Sequence, residues 1–225
     1  MHTEGDMSEI VNKYASCMQE IKLRTNAIHS IIKRQTTTLY PYTNLEFICL
    51  QIRKILELIA MANLVANKDE YQKIREKFST DWNAKRILET IEKVNKNFFP
   101  TAIYREQLDN EKIKYHWHKK VSNILTKDIY IKIYDEISNI LHAQNPFKID
   151  RINLDNLQQE VLEYVNLIVN TLNEHNTYLC NGNIVNCNMN AFDPNSNEKE
   201  GKVSVHYFGQ VTTDDIEEVL YEQNI

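Results

Sequence analysis

The chain is short of the residues that make turns. Four Gly and four Pro in 225 residues are too few for a collagen-like, linker-like or turn-rich all-β protein, because hairpin turns and sandwich corners consume both. Long apolar runs are missing as well. No stretch reaches the roughly 18 to 20 apolar residues that span a bilayer, and the start MHTEGDMSEI has no basic segment followed by an apolar one, so no secretory signal and no membrane contact are expected. Positive charge is in deficit: the net charge is -5 and the pI about 5.8, which excludes a global basic field for a nucleic-acid backbone. Cys17, Cys49, Cys180 and Cys187 are too sparse for a disulfide-stapled secreted domain, so reduced thiols and a cytoplasmic location are expected. A Gly-rich phosphate loop, GxSxG and HExxH are all absent, and with them go the enzyme classes that carry those signatures.

What is present is ordinary soluble composition, 42% hydrophobic and 25% charged, in a length that fits one large domain or two small ones. Ile and Asn, 26 of each, and 19 Lys against 7 Arg are the residues of A/T-rich codons and point to a low-GC, bacterial genome.

Apolar residues Ile10, Tyr14, Met18, Ile21, Ile28 and Ile32 recur at helical spacing, predicting a first helix from Met7 to about Lys33. A second, the most periodic, runs from Asn44 through Val65 on the stripe Leu45, Ile48, Cys49, Ile52, Ile55, Leu56 and Ile59. A charged helix over Asn67–Phe78 and another over Trp82–Val94, with Asp81 as its cap, precede Pro100. Residues 101–122 show little periodicity and read as a long connection. Two further helices are expected over Thr126–Ala143 and from Asn153 to about Tyr178. Beyond them Val185, Cys187 and Met189 alternate with Asn186, Asn188 and Asn190, and Val203, Val205 and Tyr207 with Ser204, His206 and Phe208. Period two predicts a β-hairpin, with a final acidic helix over Thr212–Gln223. The expected fold is mainly α, a bundle of four to five long helices with a C-terminal β-hairpin. It divides into a helical bundle over 1–179 and a hairpin with acidic C-terminal helix, packed on the bundle, over 180–225.

Two charged constellations stand out. On the second helix Glu46, Arg53 and Glu57 share a stripe with Leu50, Met61 and Leu64, and on the first Glu20 sits one turn before Arg24. These are either structural ion pairs between packed helices or the lining of a polar pocket in a bundle. On the Thr126–Ala143 helix, Asp135, Ser138, Asn139 and His142 share a face. This is no Ser-His-Asp triad, because two turns, about 10.5 Å, separate the carboxylate from the imidazole. His142 could serve as a general acid or base if it opened into a cleft, or as a structural histidine at the helix end. Metal ligation is not expected: His116-x-His118 has strand spacing in a stretch read as a connection, and Cys180-x6-Cys187 is not a zinc-finger spacing. No cofactor is expected either.

The pair Arg53-x-x-x-Glu57 inside the second helix, and Ile137-Ser138-Asn139-Ile140-Leu141-His142-Ala143 ending a later one, resemble the HEPN superfamily of bacterial helical bundles over roughly residues 8–178. The resemblance implies an HEPN-like bundle over 1–179, homodimerisation through long helices, and a place in bacterial stress or antiviral (phage-defence) systems. Active members of the family are RNA-binding ribonucleases with an Arg four to six residues before the histidine. Here those positions hold Asp135, Glu136 and Ile137, a charge reversal where a cation should stabilise a phosphate. The first reading is therefore a non-catalytic binding or interaction protein, with Glu20, Glu46, Glu57, Ser138 and Asn139 as binding residues. The alternative is a metal-independent ribonuclease or nucleotide-transfer enzyme using His142 with Arg24 or Arg53. A third is an adaptor whose hairpin edge adds a strand to a protein partner's sheet; deleting 180–210 would then leave helical content nearly unchanged.

Overall fold

The spacing of apolar residues at the start of the chain produces α1, Glu4–Ile32, whose Ile10, Tyr14, Met18, Ile21 and Ile28 are all buried. The structure is a computed structural model, and it describes residues 4–75, 80–107, 115–142, 147, 154–191 and 201–209. Helix α2, Pro41–Ala66, starts three residues earlier than its periodicity predicts, because a proline at the first helical position has the φ the helix needs and no N–H to leave unsatisfied. Its whole apolar stripe is buried, and α1 packs along the helix. Helix α3 is Lys68–Ile74 and α4 Ala84–Val94. The cap of α4 is Asn83, which accepts from the Arg86 N–H at 3.0 Å. Asp81, expected in that role, is held instead by the Tyr71 hydroxyl (2.7 Å) and by Arg75.

The stretch expected to be a connection forms two strands, β1 (Thr101–Gln107) and β2 (Tyr115–Lys119). After them come α5 (Lys127–Ile140) and α6 (Leu154–Leu172). The last helix does not reach Tyr178. It stops at Leu172 and the chain turns into β3 (Glu174–Tyr178), followed by β4 (Ile184–Ala191) and β5 (Lys202–Phe208). The expected bundle with a lone hairpin is thus corrected: the described residues form six helices and one five-stranded antiparallel sheet, order β2-β1-β3-β4-β5, a mixed α/β fold. The hairpin is right in itself, with Cys187 opposite Val205 and Asn186 opposite His206, but it is two-fifths of the sheet. The helix expected over Thr212–Gln223 lies outside the described residues.

Both departures from the expected elements have a physical cause. The β1–β2 ribbon carries charged and polar side chains on both faces, so it lacks the apolar/polar alternation by which a half-buried strand is recognised. In β3 the consecutive His175, Asn176 and Thr177 are all buried, so hydrophobicity cannot alternate there either. Helix α2 is the hub of the helical side, packing on α1, α4, α5 and α6, while α1 lies along β4 and β5 and α6 against β1 and β3. No described helix is long and apolar enough to cross a membrane.

Candidate functional site

Arg24 donates to Glu20 at 2.6 Å and to the Gln51 side-chain oxygen at 2.7 Å. Arg53 pairs with Glu57 at 3.3 Å, and its guanidinium lies 5.4 Å from the centre of the Tyr134 ring. Gln51 and Arg53 are two residues apart on α2, about 200° around the helix axis, so the two arginines occupy opposite flanks of it. Glu57 also accepts from Lys54 at 2.8 Å. Glu46 is half-buried near Cys49, whose thiol is pushed up to about 12 by burial and secondarily by that carboxylate. The Ser138 hydroxyl donates to the Tyr134 carbonyl at 2.6 Å, and Asn139 and His142 are exposed at the end of α5. Tyr134, the residue that meets Arg53, precedes His142 by more than two turns, about 12 Å of helical rise. Among the described residues no ion pair or hydrogen bond joins His142 to either arginine. The structure therefore brings Arg24 to Glu20 and Arg53 to Glu57, and does not bring these pairs together or attach either to His142.

A buried network that the sequence did not point to links α1 to the sheet. The His175 Nδ1–H donates to the Leu172 carbonyl at 2.9 Å, which leaves Nε2 to accept from the Tyr14 hydroxyl at 2.8 Å. The Tyr14 oxygen accepts in turn from Thr177 Oγ1 at 2.9 Å. The side-chain polar atoms of Tyr14, His175 and Thr177 are all matched, and burial forces His175 down to about 4, so the imidazole is neutral at physiological pH. Burial likewise pushes the Cys17 thiol up to about 11 and the Cys187 thiol far above the ordinary range. Burial thus keeps these thiols in the protonated form.

The opposite face of the sheet is different. Cross-strand pairing puts Asn176, Asn186 and His206 in one row across β3, β4 and β5, with Glu174, Asn188 and Ser204 in the next. Trp117 on β2 and Phe208 on β5 belong to this face, and their rings meet edge-on at 5.3 Å between centroids. These strands are the two edges of the sheet, which would lie about 19 Å apart if it were flat. The sheet is therefore coiled until its edges approach, and the polar rows line the concave side. Arg105, paired with Glu174, stands on the same side. Asn186 is completely buried there. Its Nδ2 donates to Asn176 Oδ1 at 2.8 Å, whereas its own Oδ1 has no partner. The Asn186-x-Asn188 alternation in the sequence was the available signal for this face; without the three preceding strands it read only as half a hairpin.

Other concavities carry less chemistry. A cleft of about 600 Å³ beside Trp82, Lys85 and Arg86 has two of its three cations committed, Arg75 to Asp81 and Lys85 to Asp135. One of about 480 Å³ between α1, α2 and α6 is lined chiefly by Ile31, Leu45, Ile48 and Val161. Among the described residues no group of three or more His, Cys, Asp or Glu is placed to hold a metal ion. Comparison with protein-family models, with curated proteins and with solved structures returns no match.

Proposed function

We propose that the protein is a non-catalytic binding protein that takes a small polar ligand on the concave face of its sheet. The observation that carries this reading is the Asn186 Oδ1 acceptor, buried and unmatched beside Asn176 and His206. A buried orphan acceptor costs about 1–3 kcal/mol, and a ligand presenting an N–H or O–H donor would recover it. The distribution of the ionisable groups favours binding over catalysis: the two candidate arginines each pair with a carboxylate, on opposite flanks of α2, and His142 stands apart from both. The HEPN-like stretches, Arg53 to Glu57 on α2 and Ile137 to His142 at the end of α5, belong to two helices that pack on each other; in this reading they form the supporting layer and the sheet the binding layer. Free cysteines, with Cys49 and Cys187 buried, accord with a cytoplasmic site of action. A homodimer goes with the reading, Leu39 and Tyr40 being 92% and 55% exposed on one loop; light scattering that finds only monomer removes it.

The test is a thermal-shift panel of amides, amino acids and nucleosides on the wild type and on the double variant Asn176→Leu/Asn186→Leu. Removing both partners together leaves no new orphan between them and should keep the unliganded Tm within a few degrees. A ligand that raises the wild-type Tm and not the variant's supports the reading; equal shifts in both would refute it. Incubation with total RNA tests the catalytic alternative, and cleavage by wild type that is lost in His142→Ala would establish the enzyme instead.

A further inference from the structure

His116-x-His118 has the residue spacing of a strand. The stretch forms strand β2, and alternate residues of a strand share a face. The two imidazoles stand side by side with ring centroids 4.6 Å apart and planes at 57°. Two imidazole nitrogens on one ion, each about 2.0–2.1 Å from it at a tetrahedral angle, place the ring centres about 5 Å apart, so the observed ring separation matches that of two imidazoles sharing an ion. His118 is also held from two further directions. Tyr104, its cross-strand partner on β1, stacks on it at 5.0 Å and 19°, and Glu106 lies 2.6 Å from its Nε2. A carboxylate on one imidazole nitrogen fixes the proton there and leaves the other nitrogen, Nδ1, as a lone-pair donor, the arrangement that orients metal-bound histidines. The Glu106–His118 contact and the Tyr104 stack thus aim the ring independently of the His-x-His spacing.

We infer that His116 and His118 form a two-imidazole chelate for a borderline transition-metal ion such as Zn²⁺, Ni²⁺ or Cu²⁺, with Glu106 as the positioning carboxylate. Only two protein donors converge, in keeping with the lack of any three-residue group among the described residues, so the remaining coordination positions are open to water or to a donor from outside. His116 and Glu106 are exposed, and an ion can reach the pair without any opening of the fold. The inference does not depend on the concave-face ligand, because Tyr104, Glu106, His116 and His118 belong to the opposite face of the ribbon from Trp117.

The experiment titrates Cu²⁺ and Zn²⁺ into the full chain bearing Cys180→Ser, which removes the exposed thiol as a competing ligand, with calorimetry for affinity and paramagnetic resonance for the copper ligands. One equivalent should bind, with nitrogen hyperfine structure from two imidazoles. His116→Ala or His118→Ala should weaken binding at least tenfold, and Glu106→Gln about tenfold. Circular dichroism checks that each variant is folded. Selective broadening of the His116 and His118 ring signals by substoichiometric Cu²⁺ in the histidine-bearing chain supplies a readout free of substitutions at the site. Affinity unchanged by both histidine substitutions, broadening at other histidines, or no saturable binding below millimolar metal would each overturn the inference.

Discussion

His175 is the residue whose environment most alters its chemistry. Its imidazole titrates near 6.5 in an unfolded chain and at about 4 in the fold because burial disfavours the charged form. Between those values the unfolded chain binds a proton that the native protein does not, so stability falls as pH drops from about 6.5 to 4 and is unaffected by this group above that window. The shift corresponds to at most about 3 kcal/mol. Urea denaturation at pH 7 and pH 4.5 should show the loss, and Tyr14→Phe should cost about 1–3 kcal/mol at pH 7 by leaving Nε2 without a donor. A pH profile between 4.5 and 7 that His175→Gln leaves unchanged would assign the acid sensitivity elsewhere. The cysteines make a second expectation at this scale. Cys180 is exposed, whereas Cys49 and Cys187 are buried and their thiols pushed up by burial. An aromatic disulfide reagent should modify Cys180 within minutes and the two buried thiols only with unfolding.

Elements meet in this fold through buried amides as much as through apolar contacts. Asn95, which ends α4, donates from Nδ2 to Asn67 Oδ1 and to the Tyr178 carbonyl, both at 2.7 Å, while its own Oδ1 accepts from the Asn97 N–H. One side chain thereby ties the ends of α2 and α4 to β3. Asn95→Leu would strand an acceptor on each neighbour, and a loss of about 2–4 kcal/mol in chemical denaturation is expected, against less than about 1 kcal/mol for the exposed Asn139→Leu. Such amides also explain what could be seen in advance. Helices α1, α2 and α5 declare themselves through stripes such as Leu45, Ile48, Ile52, Ile55 and Ile59, since one buried face at a period of 3.6 leaves a regular mark. Strand β3 leaves none, because its polar His175, Asn176 and Thr177 are buried by hydrogen bonding to Tyr14, remote in the sequence, and to Asn186 on the next strand. The candidate site was half legible for the same reason: Asn186 and His206 were visible as one side of a hairpin, but Trp117, which closes the concavity, belongs to a ribbon with no periodic signal.

At the scale of the molecule the sheet and the helices are one unit, which changes the consequence of removing the hairpin. An independent hairpin packed on a finished bundle could be deleted over residues 180–210 with helical content nearly intact. In the structure β4 supplies the pairing partner of β3 from Glu174 to Tyr178, and α1 lies along β4 and β5. Deletion would uncover the surface of α1 that packs there, strip β3 of its partner, and remove the buried Val185, Cys187 and Met189 from the core. Three buried apolar side chains at about 1.5–3 kcal/mol each already approach the whole stability of an ordinary domain, about 5–15 kcal/mol, before the lost ladder is counted. The deletion variant should therefore lose most of its helical circular dichroism and its cooperative melt. A gentler variant, Phe208→Ala, should keep both while releasing Trp117 from its edge-to-face contact, read as a red shift of its emission in a Trp82→Phe background. Retention of full helicity by the deletion would mean that the helices fold without the sheet and would return the hairpin to the status of an appendage.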